Sequence, residues 1–304
     1  MSLDTSTLSG RIAGAPISWG VCEVPGWGEM LRPERVLPEM RSLGLTTTEL
    51  GAPGFLPEDA VELSAVLHDQ GMGLLGGFVP LVLHDPAQRA AMLASAEETA
   101  RKFAEHGATR FVTAVVQDMD WSTPVRLDAA GMATLGEGLA QVDAVCARYG
   151  LTQVLHPHVG TLVETKADIE LALAHTDVTW CLDTGHLYIG GVDPVTFACD
   201  HADRVGLVHL KDVNAAVADR LMAGELTLIQ AVQAGLFTPL GEGDVAVGDA
   251  IVALEQAGYT GWYILEQDTA LTDGVPEPGT GPVDDVRRSL EYLSSQVAPR
   301  IPAR

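Results

Sequence analysis

The segment TWCLDTGHLYIGGVDPVTFACDHADRVGLVHLKD occupies residues 179–212 and contains two short apolar runs. The runs Thr179–Asp183 and Val205–Leu210 have the length and composition of buried strands, and a longer segment separates them. Strands that alternate with longer segments pair in parallel, because a parallel crossover needs the intervening chain. Asp183 closes the first run and His209 stands near the end of the second. Both strands of this repeating unit therefore place a candidate functional residue near their carboxyl end.

The same unit recurs on both sides of this segment. Eight strands are predicted, at Ile12–Ile17, Thr46–Leu50, Gly73–Val79, Arg110–Val116, Thr152–His156, Thr179–Asp183, Val205–Leu210 and Gly261–Glu266. Helical patterns are predicted at Pro33–Leu43, Pro57–Gln70, Pro86–His106, Ala130–Tyr149, Lys166–His175 and Asp284–Val297. Several of these helices begin near a proline and end at a glycine, which is the usual asymmetry of helix ends.

Eight strand–helix units in 304 residues predict an α/β fold, a (β/α)₈ TIM barrel, with residues 1–304 forming a single domain. The alternative is an open doubly wound sheet, but the first strand is not followed by the GxGxxG pattern typical of that fold. Val213–Val247 is long for a βα loop and carries a helical stretch around Arg220–Ala234. We therefore predict an inserted helical loop at about 213–247, on the face where lids and substrate loops are found. Asp273–Pro282 is predicted as a plain loop.

Charge and cysteine content limit the function classes. The chain has 41 acidic and 18 basic side chains, a formal net charge of −23. This excess repels phosphate backbones and anionic lipids, so we expect no nucleic-acid partner and no membrane partner. The four cysteines form no CxxC pair, which argues against a zinc ribbon or a disulfide framework. We see no signal peptide or membrane-spanning run and expect a cytoplasmic protein. Assembly into a homo-oligomer is left open.

Four potential metal ligands fall at the ends of consecutive predicted strands: His156, Asp183, His209 and Glu266. The first two intervals are 27 and 26 residues, close to one βα unit, and the third equals one unit plus the insertion. Active-site residues of such barrels lie at the carboxyl ends of the strands, so the four side chains should converge. Two imidazoles and two carboxylates suit a divalent ion, with Mn²⁺ or Co²⁺ favoured, Fe²⁺ or Zn²⁺ possible, and Mg²⁺ less suited because it prefers oxygen ligands.

Further polar and aromatic residues near these strand ends are candidates for contact with a substrate. His186 follows Asp183 by three residues, and Lys211 could stabilise a developing oxyanion. Glu49 ends the second strand and Trp19 flanks the first. Two of them also have an ordinary structural interpretation: the tryptophan as packing, and the lysine in an ion pair with Asp212 or Glu266.

Three segments resemble the xylose isomerase-like TIM-barrel superfamily, which holds sugar isomerases, epimerases and enzymes of inositol catabolism. They are CLDTGHLYIGGVDP (181–194), RVGLVHLKDVN (204–214) and GEGDVAVGDAIVALEQAGYTGWYILEQD (241–268). The resemblance implies a divalent metal held at strands five to eight by Glu, Asp, His and Glu. Asp183, His209 and Glu266 match the last three positions, whereas His156 stands where the first glutamate is expected. His158 is an equally placed candidate for that position.

The run LHPHVGTLVET (155–165), together with APISWG (15–20), TELG (48–51) and HLKDV (209–213), resembles the inosose dehydratase family, which removes water from 2-keto-myo-inositol. One loop departs from the pattern, because GVCEVPGWG (20–28) stands where that family carries an Asn-Asp-Asp stretch.

The resemblance and the residues together predict a metal-dependent lyase acting on a small polyol or keto-sugar. Dehydration needs a base for the proton α to the ketone, a group that stabilises the enolate, and an acid for the departing β-hydroxyl. Glu266 or a histidine is the candidate base, Lys211 the enolate-stabilising group beside the metal, and His158 or His186 the candidate acid. Two alternatives stay open: a keto-sugar isomerase or epimerase with His156 replacing a glutamate, and a non-catalytic sugar-binding barrel.

Overall fold

The computed structural model describes residues 8–302. Strands β1–β11 are, in chain order, Ile12–Gly14, Thr47–Glu49, Gly73–Gly76, Phe78–Leu81, Arg110–Val115, Thr152–Leu155, Trp180–Asp183, Val205–Leu210, Asp212–Val213, Phe237–Thr238 and Tyr263–Leu265. Helices α1–α11 are Pro33–Ser42, Ala60–Gln70, Pro86–Glu105, Ala129–Arg148, Lys166–His175, Thr184–Ile189, Pro194–His201, Ala215–Met222, Leu228–Gln233, Val247–Gln256 and Pro282–Tyr292. Short 3₁₀ turns lie at Ser9–Arg11, Pro16–Trp19, Ala202–Arg204 and Ala298–Arg300, and a π-helical turn at Leu293–Val297.

Nine of the strands form one parallel sheet in the order β3-β2-β1-β11-β8-β7-β6-β5-β4. The two strands at the ends of this order, β3 and β4, are separated in the chain by Gly77 alone, so the sheet returns to its starting point. Counted as one kinked strand, they complete the eight-stranded barrel, and the predicted (β/α)₈ fold is confirmed. The single predicted strand Gly73–Val79 is wrong in detail, because the pairing changes partner at this kink.

A close backbone approach at the kink requires a glycine. A Cβ atom at Gly76 would lie 2.1 Å from the carbonyl oxygen of Arg110, where β3 meets β5. The backbone N–H of Thr109 donates to the carbonyl of Leu75 at 3.0 Å, and that of Val112 to the carbonyl of Gly77 at 3.1 Å. These bonds join β5 to both halves of the kinked strand and close the barrel.

Two apolar layers hold the fold together. A small inner cluster fills the barrel with Ala13, Ala15, Leu75, Val112, Val154, Cys181, Leu207 and Ile264. A larger cluster lies between the strands and the surrounding helices. Aspartates cap several of these helices, because a carboxylate accepts the backbone N–H groups that the first turn leaves unpaired. Asp59, Asp85, Asp128 and Asp193 make such bonds at α2, α3, α4 and α7.

The segment after β8 contains two helices. We expected one helical stretch around Arg220–Ala234, which is wrong in detail, because Gly224 has a left-handed φ of 72° in the turn between α8 and α9. An antiparallel pair, β9 with β10, closes the base of the segment. The carboxylate of Asp212 accepts the backbone N–H groups of Gly241, Gly243 and Val245 at 2.8–3.1 Å. This segment is therefore tied to the strand end that carries Lys211.

Among the helices within residues 8–302, none combines the length and apolar character needed to cross a membrane. The predicted single domain also includes residues 1–7 and 303–304, which lie outside the described residues. The domain bounds, the cytoplasmic location and the homo-oligomer stay predictions.

Candidate metal centre and active site

The carboxyl ends of β6, β7, β8 and β11 bring the four predicted ligands together at the mouth of the barrel. One nitrogen or oxygen atom from each of His156, Asp183, His209 and Glu266 lies within 4.8 Å of the others. Nε2 of His156 lies 3.2 Å from Oδ2 of Asp183, and Nδ1 of His209 lies 3.8 Å from the same oxygen. Nδ1 of His209 also touches Oε2 of Glu266. The first three side chains are fully buried and the Glu266 side chain is 14% exposed, so the cluster opens at the glutamate.

The chemistry of this set fits a divalent metal ion. Nδ1 of His209 and Oε2 of Glu266 are buried and in contact, but no well-aligned hydrogen bond satisfies either atom within residues 8–302; Oε2 also forms an ion pair with the ammonium of Lys211. Buried polar atoms are nearly always hydrogen-bonded, so these two atoms indicate that the cluster accommodates a further group. Two imidazoles and two carboxylates are ligands that borderline divalent ions accept.

Neighbouring groups orient the candidate ligands. Nε2 of His209 lies 3.3 Å from Oε1 of Glu49, which leaves Nδ1 directed at the cluster. Oδ1 of Asp183 accepts the backbone N–H of His186 at 2.8 Å, which leaves Oδ2 for an ion. A carboxylate behind a ligating imidazole is the usual second layer of a metal site. Glu49 thus lies against a ligand, and its expected contact with substrate stays a prediction.

Burial and charge set the protonation states of the cluster. Burial raises the pKa of Asp183 to about 6. Burial also acts to raise the pKa of Glu266, but the nearby His209 and Lys211 outweigh it and hold that pKa well below its ordinary value. For His209, burial acts to lower the pKa, whereas Cys181, Glu266 and Glu49 raise it well above the ordinary value.

Lys211 is buried beside the cluster and is held by two carboxylates. Its Nζ lies 3.1 Å from Oε2 of Glu266 and directly contacts Oδ1 of Asp268. Burial acts to lower the pKa of Lys211, but the charges of Asp268 and Glu266 outweigh burial and raise it, so the ammonium is charged. The alternative ion pair with Asp212 is wrong, because that carboxylate binds backbone N–H groups instead. Burial raises the pKa of Asp268, a residue the sequence reasoning missed, to about 6.

The DTGH motif fits against the strand that carries Lys211. The hydroxyl of Thr184 donates to the carbonyl of Lys211 at 2.7 Å and accepts its backbone N–H at 2.9 Å. A Cβ atom at Gly185 would lie 2.7 Å from Cβ of Lys211, so a larger residue would push the two elements apart. The motif therefore fixes the lysine in register with Asp183.

His158 and His186 stand next to the cluster with ring centroids 4.0 Å apart. Burial lowers the pKa of His158 to about 3 and that of His186 well below its ordinary value, so both imidazoles are neutral at pH 7. Nδ1 of His158 lies 2.7 Å from the carbonyl oxygen of Val159 and must donate to it, which leaves Nε2 without a proton. Nδ1 of His186 accepts the backbone N–H of Val159 at 3.5 Å, which assigns the proton to Nε2.

The aromatic residues near His158 at the mouth of the barrel are not the tryptophan that the sequence suggested. Trp19 is fully buried and its indole N–H donates to Oε2 of Glu39 at 2.9 Å, so it packs in the core. Its contact with a substrate stays a prediction. Phe78 and Trp121, which no sequence pattern marked, lie with their ring centroids 5.6 and 6.2 Å from that of His158. The Nζ atom of Lys211 lies 5.1 Å from the ring centroid of Phe237.

Residues 37–296 match the family model described as xylose isomerase-like TIM barrel. The chain belongs to this family. It is 32% identical over 275 residues to inosose dehydratase of Geobacillus kaustophilus (strain HTA426), covering 86% of this chain and 89% of that protein. It is 31% identical over 271 residues to the rhizopine catabolism protein MocC of Rhizobium meliloti, covering 86% and 83%.

A solved structure of the IolI protein with a zinc atom superposes with a TM-score of 0.69, at 12% identity, and covers 97% of this chain and 100% of that one. At this identity the likeness supports the fold alone. The predicted resemblance to the superfamily and to the inosose dehydratases is confirmed by the family match and the sequence relatives. Several of the curated relatives are inosose dehydratases, which are lyases, and the chain is accordingly an enzyme.

Proposed function

We propose that this protein is a metal-dependent hydro-lyase of inositol catabolism that removes water from 2-keto-myo-inositol. The observation that carries the proposal is the convergence of His156, Asp183, His209 and Glu266 beside a buried, charged Lys211 and two neutral histidines. The 32% identity to an inosose dehydratase supports the same substrate.

The four-residue cluster would hold the ion, with Mn²⁺ or Co²⁺ as the preferred metal and Fe²⁺, Zn²⁺ or Mg²⁺ as alternatives. When bound, such an ion supplies Lewis-acid polarisation of the substrate's ketone oxygen. The Lys211 ammonium lies 3.1 Å from Oε2 of Glu266, close enough to the cluster to face the ketone oxygen of the substrate as well. It would stabilise the negative charge that develops there as the enolate forms.

The first proton transfer removes hydrogen from the carbon next to the ketone. Glu266 is one candidate base, since its low pKa keeps it ionised. His158 is the other, and its hydrogen bonding favours it, because the unprotonated Nε2 can accept a proton. The electron pair of the broken C–H bond forms the enolate.

In the second transfer the β-hydroxyl leaves as water. The Nε2–H of His186 is buried and has no partner among residues 8–302, so it can donate a hydrogen bond to the departing oxygen, while the proton that the base took from carbon is returned to that oxygen. The enolate electrons form the carbon–carbon double bond as the C–O bond breaks. One proton taken and one returned balance the reaction, and the enol product tautomerises to a dione.

The isomerase or epimerase alternative would use the same metal cluster and Lys211. A symmetric shuttle between two glutamates is not available to it, because His156 occupies one of the two positions. The deciding experiment incubates the metal-loaded protein with 2-keto-myo-inositol and follows the absorbance of the conjugated dione. An isomeric ketose as the only product would establish the alternative and exclude the dehydratase. Absence of any product, with polyol binding retained, would favour the non-catalytic barrel.

The histidine assignment has its own test. His158→Asn and His186→Asn should each lower kcat by about 10²–10⁴-fold, the range for loss of a general base or acid. Only the variant that lacks the base should also lose exchange of the α-hydrogen with solvent deuterium. Exchange that persists in His158→Asn and disappears in Glu266→Gln would transfer the base role to Glu266.

A further inference from the structure

Two exposed aromatic side chains stand together at the mouth of the barrel. Phe78 is 41% exposed and Trp121 is 44% exposed, although large apolar side chains are mostly buried in this fold. Their rings are nearly parallel, with an interplanar angle of 13° and centroids 6.2 Å apart. We call these two rings the aromatic wall.

The aromatic wall borders the active site directly. The ring centroid of Phe78 lies 5.7 Å from that of His156, a candidate metal ligand, and 5.6 Å from that of His158. The Trp121 ring lies 6.2 Å from the same His158 ring. A molecule bound beside His156 and His158 can therefore contact the wall.

The backbone holds Trp121 in an unfavourable conformation. Its φ of 56° makes it the one non-glycine residue between positions 8 and 302 in the left-handed region. Hydrogen bonds around Asp118 fix this turn: the N–H of Trp121 donates to the Asp118 carbonyl, and the Asp118 carboxylate accepts the N–H groups of Asp120 and Ser122. Strained residues of this kind cluster at ligand-binding sites, since a strained conformation persists only where surrounding structure enforces it.

We propose that Phe78 and Trp121 bind one face of a cyclic polyol by stacking, and that this selects rings with at least one face free of axial hydroxyl groups. The inference deepens the proposed function, on which it rests for the substrate class. A ring with equatorial hydroxyls presents only axial C–H bonds on its faces, and these fit the negative face of an aromatic ring. 2-Keto-myo-inositol is such a ring, because oxidation removes the single axial hydroxyl of myo-inositol.

An axial hydroxyl on the stacked face would be held against Phe78 and Trp121 without a hydrogen-bond partner. Leaving a polar group unpaired in this way costs more than the stacking gains. The wall thus excludes rings with axial hydroxyls on both faces, while the ketone edge of an accepted ring stays directed at the metal cluster and Lys211.

The test uses two non-reacting probes on the metal-loaded protein: scyllo-inositol, with all hydroxyls equatorial, and chiro-inositol, with an axial hydroxyl on each face. Trp121 is the most exposed of the five tryptophans, so scyllo-inositol should shift the emission to shorter wavelength in a saturable way. chiro-Inositol should bind at least tenfold more weakly. Equal affinity for the two probes would overturn the proposal.

Variants measured by calorimetry separate stacking from loop structure. Trp121→Ala should weaken scyllo-inositol binding about tenfold, Trp121→Phe should retain most of it, and both should keep wild-type metal content. Met119→Ala is the matched control, because Met119 is 52% exposed in the same loop and makes no part of the wall. Unchanged binding in Trp121→Ala would refute the wall.

The two proposals fail in different ways. If the wild type dehydrates 2-keto-myo-inositol and Trp121→Ala has an unchanged KM, the function stands and the wall fails. If scyllo-inositol binding depends on Trp121 but no dione forms, the wall stands and the dehydratase fails. If both stand, Trp121→Ala raises KM about tenfold with kcat within about twofold, because a stacking contact stabilises ground state and transition state alike.

Discussion

The two ends of the barrel both bury charged side chains, but they balance the charge differently. At the amino end, Nη2 of Arg11 lies 2.6 Å from Oε1 of Glu255, and the hydroxyl of Tyr263 donates to the same carboxylate at 2.8 Å. Among the described residues, one cation meets one anion there. At the carboxyl end, the described chain brings four carboxylates around two cationic side chains, Lys211 and His209; the carboxylates are those of Glu49, Asp183, Glu266 and Asp268.

This difference separates a structural site from a functional one. A matched buried pair contributes to the fold and needs no further group. An excess of buried carboxylates is costly unless a cation compensates it, since a low-dielectric interior strengthens repulsion between like charges. The carboxyl end is therefore suited to an added cation, whereas the described pair at the amino end is already matched in charge.

The largest effect should follow from removing one carboxylate of the carboxyl end. Asp183→Asn removes a charged ligand but keeps an oxygen that can accept the backbone N–H of His186. We expect dehydration to fall at least 10⁴-fold and the protein to lose its metal, as measured by metal analysis after gel filtration. The chain should stay folded by circular dichroism. A variant that retains full metal content would contradict the proposed site.

The amino end should respond in the opposite way. Arg11→Ala removes the buried cation that lies 2.6 Å from Oε1 of Glu255, so we expect a loss of about 3–5 kcal/mol in the free energy of unfolding. The kcat of the folded protein should not change. The double variant Arg11→Met with Glu255→Leu should recover much of the stability in urea titrations. A drop in kcat at unchanged metal content would mean that the two ends are coupled.

Lys211 combines features of the two ends. It forms ion pairs, as Arg11 does, but it lies beside the candidate metal centre. Lys211→Met should lower kcat about 10²–10³-fold, the usual loss when one group that stabilises an oxyanion is removed. Metal content should be retained, because the four ligands remain. Lys166→Met, on an exposed helix, is the matched control. Loss of metal in Lys211→Met would show instead that the lysine only holds Glu266 in place.

The convergence of the four candidate ligands could be predicted from the sequence because the βα period converts chain spacing into position. His156, Asp183, His209 and Glu266 each close or follow a strand, so their convergence needed only the barrel. The partner of Lys211 was harder to predict. Asp212 directs its carboxylate to backbone N–H groups, whereas Asp268, which contacts Lys211, lies beyond the end of β11, where strand spacing does not give a position.

The aromatic wall could not be predicted in the same manner. Its position depends on a left-handed residue in the loop after β5, and Trp121 is not a residue type that marks such a conformation. Likewise the break at Gly77 and the turn at Gly224 depend on how the chain packs locally. Loop conformation, unlike strand spacing, is set by contacts that no periodic pattern records.

The smallest effect should come from Glu49, whose one contact with the carboxyl-end cluster, among residues 8–302, is with Nε2 of His209. Glu49→Gln keeps the shape of the side chain but removes its charge, so the imidazole becomes a weaker ligand. We expect metal affinity to fall about 10–100-fold, the usual cost of changing a group behind a ligand. Titration with Mn²⁺ should show this shift while kcat at saturating metal stays near wild type. A lower kcat at saturating metal, with a raised KM, would place Glu49 in contact with the substrate, because only that role acts after the metal is bound.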